Sequence, residues 1–308
     1  MRFFLIPILL AYVSVSFADI IRVTILGSGT PRPDINRFSQ SILVEAGEEK
    51  LLFDTGRGSA IRLSQANISV GDIDQIFLTH LHSDHTLGMP DIIMTGWIYQ
   101  RNKVLNIYGP KGTLDFISDI KSAFKKDIEI RIVPPESHSK KGLRTNTVEI
   151  KEGLVFKKNN LEVIAFEVDH GGGVEHAFGY KIIYKNRSIV ISGDTNYSSN
   201  LVYHAKNTDL LIHEIADAPL NVINKYPKVK GLMNYHTTPK EMARVIEEAK
   251  PRYTVLTHML LLGGISEKEV LTKVLKLTNN IAKVEIAYDL MAIDVKDEIR
   301  TYSIDYDK

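Results

Sequence analysis

The stretch Thr79-His80-Leu81-His82-Ser83-Asp84-His85 decides how this chain is read. Three histidines and an aspartate fall within six residues, directly after the apolar run Ile76-Phe77-Leu78. Side chains two apart on extended backbone project to one side, so His80 and His82 can share a point. Asp84 and His85, at the turn beyond, can face a second one. Imidazole and carboxylate groups are rarely buried without partners, so core packing explains this run poorly. The chain has no cysteine, which excludes thiolate metal sites, cysteine nucleophiles and disulfides. The remaining donors, imidazole nitrogen and carboxylate oxygen, suit zinc (Zn2+), with Mn2+ or Fe2+ compatible with the same set.

Outward from this run, short apolar segments recur and end in turn residues. Ile21–Leu26 reads as a buried strand closing at Gly27-Ser28-Gly29, and Ser41–Glu45 with Lys50–Phe53 reads as a hairpin around Gly47. Gln75–Leu78, Val104–Tyr108, Leu161–Val168, Gly179–Tyr184, Ser188–Ser192, Leu210–His213 and Tyr253–Leu256 also read as strands. The clearest helix is Pro239–Lys250, with Thr238 as cap, Pro239 in the first turn, Glu241 completing a capping box and Pro251 stopping it. Weaker helices are expected over 58–66, 113–126 and 267–277, and a loop over 134–150. Strands mixed with helices over one core predict a layered α/β domain.

The run from Thr79 to His85 resembles the metal-binding motif of the metallo-β-lactamase superfamily. The resemblance spans most of the chain after residue 18 and implies a four-layer αβ/βα sandwich with the metals at one edge. It asks for three more ligand segments. Asp169-His170 follows the strand Leu161–Val168, Ser192-Gly193-Asp194-Thr195 follows Ser188–Ile191, and Leu256-Thr257-His258 ends the last apolar run. Carried over residue by residue, His80, His82 and His170 would bind one metal. Asp84, His85 and His258 would bind the other, and Asp194 would bridge two Zn2+ ions that share a hydroxide nucleophile. His176 is the competing donor to His170, which the Asp-His-Gly context favours.

Within the superfamily, Leu26-Gly27-Ser28-Gly29-Thr30-Pro31, Phe53-Asp54-Thr55-Gly56, Phe178-Gly179-Tyr180, His213-Glu214 and Tyr235-His236-Thr237-Thr238-Pro239 resemble the ribonuclease Z and zinc-dependent arylsulfatase branch. The resemblance pairs Glu214 with His236 beside the metals. A carboxylate on one ring nitrogen fixes the tautomer and favours the protonated ring, which can then serve a leaving oxygen. Catalytic roles therefore fall on His236, Glu214 and Asp84, with Asp54 a supporting carboxylate behind the ligands. His213 reads as structural, and His138 and His204 as surface residues. Ribonuclease Z typically carries a long tRNA-gripping arm between its Gly-Tyr strand and the Gly-Asp-Thr ligand. Here only residues 181–192 separate Tyr180 from Gly193. The longer region 111–160 is expected to shape a small-molecule pocket instead.

The 308 residues, 44% hydrophobic and 24% charged, fit a soluble globular protein. Arg2, the apolar run Phe3–Val15 and Ser16-Phe17-Ala18 read as a cleaved signal peptide, residues 1–18. An uncleaved anchor or a buried first strand are the other readings. The apolar run is short of the roughly 20 residues that a membrane span needs. Removing it takes one Lys/Arg and no Asp/Glu, so 38 against 37 becomes 37 against 37. A neutral chain argues against nucleic acid as a partner. The expectation is thus a hydrolase domain, residues 19–308, secreted or periplasmic, with no stable membrane anchor. It would cleave a small-molecule phosphate or sulfate ester, phosphodiesterase- or arylsulfatase-like, as a monomer or a homo-oligomer. The alternatives are a lactonase- or β-lactamase-like C–O or C–N hydrolase, a ribonuclease Z-like endonuclease, and a non-catalytic metal-binding protein on the same scaffold.

Overall fold

The apolar runs become strands, and two sheets stacked face to face explain why so many of those strands are buried on both sides. The computed structural model describes residues 20–306; the expected signal peptide, 1–18, lies outside the described residues. In chain order the strands begin with β1 (Ile21–Gly27), β2 (Ser41–Ala46), β3 (Glu49–Phe53), β4 (Gln75–Phe77), β5 (Leu105–Gly109) and β6 (Thr145–Glu149). Next come β7 (Gly153–Lys158), β8 (Leu161–Val168), β9 (Ala177–Tyr184), β10 (Arg187–Ile191), β11 (Leu210–Asp217), β12 (Tyr253–Leu261) and β13 (Val284–Ile286). The last are β14 (Met291–Val295) and β15 (Arg300–Ser303). Among the described residues, one sheet of eight strands runs β15-β14-β1-β2-β3-β4-β5-β6 and one of seven runs β13-β12-β11-β10-β9-β8-β7.

Helices cover the outer faces: α1 (Ser59–Gln65), α2 (Ser83–Thr86), α3 (Met89–Ile98), α4 (Thr113–Ala123), α5 (Lys125–Arg131) and α6 (Ser199–Ala205). They continue with α7 (Leu220–Lys225), α8 (Pro227–Met233), α9 (Pro239–Ala249) and α10 (Glu267–Leu277). Three apolar layers separate the elements. Between the sheets, Ile25, Phe53 and Phe77 meet Val163, Tyr180 and Ile212. Outside the first sheet, Leu26, Leu52 and Ile76 meet Leu63, Ile92 and Trp97 of α1 and α3. Outside the second, Val190, Leu211 and Leu256 meet Leu201, Met242 and Val274 of α6, α9 and α10. This is the αβ/βα sandwich expected from the sequence. Burial of each large apolar side chain stabilises it by about 2 kcal/mol.

The inner core also sets the backbone that enters the His-rich run. Phe77 stacks on Phe53 and Tyr108 with ring centroids 5.0 and 4.9 Å apart, and Tyr180 meets it edge-on at 5.7 Å. The buried Tyr180 hydroxyl donates to the Leu78 carbonyl at 2.6 Å, tying the second sheet to the peptide that precedes Thr79.

Some elements differ from the sequence reading. Within 134–150, expected to be loop, residues 145–149 form the edge strand β6, paired in parallel with β5. Its residues are mostly exposed, so backbone pairing rather than an apolar pattern defines it. The expected helix over 113–126 breaks at Phe124 into α4 and α5. Helix α9 carries the full Thr238–Glu241 capping box and ends at Ala249, with Lys250 left-handed at φ 53°. Strands β9 and β10 are joined by Lys185 and Asn186 alone, so nothing projects from this hairpin. Among the described residues, no helix is long and apolar enough to cross a membrane.

Candidate metal centre

The expected ligands lie in loops just beyond strands, on the short helix α2 or, for His258, inside β12, and they gather at the edge where layered α/β folds place their chemistry. His80 and His82 follow β4, and Asp84 and His85 lie on the single turn of α2. His170 follows β8, and Asp194 follows β10. Gly193 is left-handed at φ 62°, and a Cβ there would meet the Phe178 carbonyl at 2.6 Å; only glycine fits the turn that presents Asp194. Glu214 sits inside β11. His258, expected to follow a strand, is instead a bulge within β12. Glu214 pairs with Thr257 and Ile215 with Met259, which leaves His258 unpaired at φ 43°. A bulge re-aims one side chain without ending the strand, and here it turns His258 toward Asp84.

The side chains converge as two groups. His80 Nε2 and His170 Nε2 lie 2.9 and 3.1 Å from His82 Nδ1. His258 Nε2 lies 3.0 Å from Asp84 Oδ2, and His85 Nε2 lies 3.7 Å from the same oxygen. Asp194 reaches the second group, its Oδ2 being 3.4 Å from His85 and 3.5 Å from His258. Donor atoms of His80, His85 and Asp194, and of His170, Asp194 and His236, also lie within 4.8 Å of one another. Asp194 therefore stands between the groups.

Electrostatics show what these groups lack. Asp54 Oδ2 accepts from His85 Nδ1 at 2.7 Å, which leaves Nε2 as the lone-pair nitrogen whenever that ring is neutral. That Nε2 is buried, has no hydrogen-bond partner, and faces the acceptor oxygens of Asp84 and Asp194. Acceptors aimed at acceptors are stable only around a cation or a proton. Burial would push His85 down, yet Asp194 and Asp54 overcome it and hold the ring well above the ordinary imidazole range. Burial likewise opposes Asp194, but His258 and His85 hold its carboxyl well below the usual range. The other group is the reverse. Burial holds His80 well below the ordinary range, and His82 and His170 below it, so all three present neutral lone pairs. Neutral imidazoles and ionised carboxylates at these spacings fit divalent cations.

Asp54 does more than orient His85. Its carboxylate also accepts from Thr79 N at 2.8 Å and Thr79 Oγ1 at 2.9 Å, with Asp54 itself at φ 55°. Glu214 Oε1 accepts from Thr237 N at 2.8 Å and lies 3.4 Å from His236 Nδ1, a long approach without hydrogen-bond alignment. Burial lowers His236, but Glu214 outweighs it and raises the ring above the ordinary range.

The remaining histidines separate cleanly. His176 is exposed, near Glu167, and does not join His80 and His82; His170 does. His213 is buried in β11 with Nδ1 2.7 Å from the Glu214 carbonyl, a structural position. His138 and His204 were expected at the surface but are half-buried against Trp97 and Phe166, at 5.5 and 4.5 Å. The sequence reading has Tyr235 and Ser28 only as motif residues; the structure gives them roles, the Tyr235 carbonyl lying 3.3 Å from His170 Nδ1 and the Ser28 carbonyl accepting from His258 N at 3.0 Å. Lys111, Glu149 and His176 help line an open cavity of about 450 Å³ beside Leu81, so the 111–160 region does supply a wall next to the site.

A family model described as the beta-lactamase superfamily domain matches residues 42–259. The chain belongs to the metallo-β-lactamase superfamily. Within that superfamily it is similar to the ribonuclease Z of Mycobacterium sp. (strain KMS), 32% identical over 243 residues, which is 78% of this chain and 84% of that protein. Two solved structures share its fold. The metallo-β-lactamase fold protein YhfI from Bacillus subtilis has a TM-score of 0.70 at 18% identity, covering 90% of this chain and 100% of that one. The short form of human tRNase Z has a TM-score of 0.64 at 24% identity, covering 89% and 99%. The chain is thus a metal-dependent hydrolase of the superfamily's ribonuclease Z-like branch. These relatives count against the expectation, drawn from neutral charge, that nucleic acid is not a partner.

Proposed function

We propose that this metallo-β-lactamase superfamily member hydrolyses phosphodiester bonds and that its substrate class is RNA. The observation that carries the reading is the buried His236–Glu214 pair beside two groups of cation ligands. A proton donor beside the cation ligands suits departure of the alkoxide that phosphodiester cleavage releases. The ribonuclease Z relative supports the endonuclease alternative over a sulfate ester.

His80, His82 and His170 would hold one cation, Asp84, His85 and His258 a second, and Asp194 both. Zinc suits these donors, and two such ions would activate water near neutral pH and accept charge from phosphate oxygens. The chain's own residues do the rest. Glu214 favours the protonated form of His236, and that ring would present a proton to the leaving oxygen. Asp54 fixes the tautomer of His85. The two-residue turn at Lys185-Asn186 supports an unstructured strand rather than a folded tRNA as substrate.

The test is a panel on the zinc-loaded chain: bis(p-nitrophenyl) phosphate, single-stranded RNA, an aryl sulfate, a lactone and a β-lactam. Turnover of the diester and the RNA is expected. Turnover of only the sulfate, the lactone or the β-lactam overturns the reading. We also propose that residues 1–18 direct export, on the pattern of Arg2, the apolar run and Ser16-Phe17-Ala18. Exported protein beginning at Asp19 would support this, and protein beginning at Met1 would contradict it.

A further inference from the structure

The segment from Ala218 to Lys240 contains Lys225, Lys228, Lys230 and Lys240 and no Asp or Glu, whereas the rest of the chain carries 34 Lys/Arg against 37 Asp/Glu. It forms the hairpin of α7 and α8, neither of which has a buried residue. All four lysines are exposed. Among the described residues, none of the four has a carboxylate partner. Several lysines elsewhere do have carboxylate partners, among them Lys103 with Asp74, Lys157 with Glu162, Lys158 with Glu49 and Lys273 with Asp217. The hairpin is therefore an uncompensated positive surface rather than a solvated mixed face.

Its position gives that charge a direction. The hairpin leaves β11 just after Glu214 and returns at Tyr235-His236. The Tyr235 ring lies 5.5 Å from His170 and 5.1 Å from His236. A Cβ on Gly171 would approach Tyr235 to 2.9 Å, so the hairpin's return is packed on the loop that carries His170. Val222 of α7 packs near Gly263, beyond His258 at the end of β12. The exposed Tyr226 stands among the lysines, with Lys225 Nζ 5.3 Å from its ring. Cations interleaved with exposed aromatic rings at the rim of a site are what a single nucleic-acid strand requires.

We propose that the α7–α8 hairpin holds the RNA strand, with Lys225, Lys228 and Lys230 on successive phosphates and Tyr226 offering a stacking face. This deepens the phosphodiesterase reading and rests on it for the choice of RNA. The hairpin does the gripping that the two-residue β9–β10 turn cannot.

The experiment measures fluorescence anisotropy of a labelled oligouridylate with the full chain in EDTA, where no cleavage occurs, across a potassium chloride series. The variant is Lys225→Ser/Lys228→Ser/Lys230→Ser, with Lys225→Arg/Lys228→Arg/Lys230→Arg as the charge-conserving control. Thermal melts confirm that both are folded. Loss of three phosphate contacts should weaken binding at least about tenfold and flatten the log–log salt slope by about 2, with the arginine variant unchanged. Equal affinity and slope in the serine variant overturn the proposal, as does no RNA binding by the wild type at low salt. A serine variant that changes oligomeric state but not affinity assigns the surface to a second copy, which also overturns it. Wild-type turnover of bis(p-nitrophenyl) phosphate judges the parent reading separately from each of these results.

Discussion

The backbone N–H of His258 donates to the carbonyl of Ser28 at 3.0 Å, and this bond fixes the bulge that presents the last ligand. Ser28 is itself caged. Asp289, far along the chain, accepts from Ser28 N at 2.9 Å, Ser28 Oγ at 2.8 Å, Phe38 N at 2.7 Å and Arg62 Nε at 3.0 Å. Arg37 adds a bond to Ser28 Oγ at 2.8 Å. A left-handed residue in a strand persists only where its surroundings over-determine it, and this cage does so.

Asp289→Ala leaves Arg62, which is only 7% exposed, without its carboxylate. Breaking a buried ion pair from one side costs about 3–5 kcal/mol, so urea unfolding of the metal-free chain should show a loss of that order. An unchanged midpoint would remove the cage from the account.

Asp54→Asn keeps the shape but loses the carboxylate that sets the His85 tautomer. Removing such an outer partner typically lowers metal affinity about 10–100-fold. Competition with a chromophoric chelator measures this, and wild-type affinity in the variant would count against the tautomer argument.

His236→Ala should retain its metals, because the two ligand groups are complete without that ring. Turnover of the diester should fall by about 10²–10⁴, with kcat bearing the loss. Metal loss, or undiminished kcat, would show that His236 is a ligand or a bystander rather than a proton donor.

Gly193→Ala forces a Cβ to within 2.6 Å of the Phe178 carbonyl at φ 62°. The strain is about 1–3 kcal/mol, and the turn that carries Asp194 must move to relieve it. Thermal melts should drop and metal affinity should fall together. A variant as stable as wild type with normal affinity would show that the turn tolerates a side chain.

The ligands were legible because each sits in, or directly after, an apolar run whose strand character does not depend on the rest of the fold. The bulge at His258 was not, since it exists only in the register of β12 against β11. Asp289 and Ser28 meet through tertiary structure, 261 positions apart, so no local pattern announces them. Helix α3 escaped because Ile92, Ile93, Met94 and Trp97 are all buried, which erases the one-sided period. Helices α7 and α8 escaped for the opposite reason, having no buried face to mark. Half-buried His138 and His204 lie against aromatic rings supplied by distant segments, which spacing alone does not reveal.

The account turns on whether Asp194 joins two cation sites, and metal content per chain by plasma mass spectrometry tests this most directly. After equilibration with zinc and removal of free ion, the wild type should carry two zinc ions per chain, and Asp194→Ala should carry fewer while remaining folded. A wild type that retains no zinc, or an Asp194→Ala variant that retains the full complement, would contradict it.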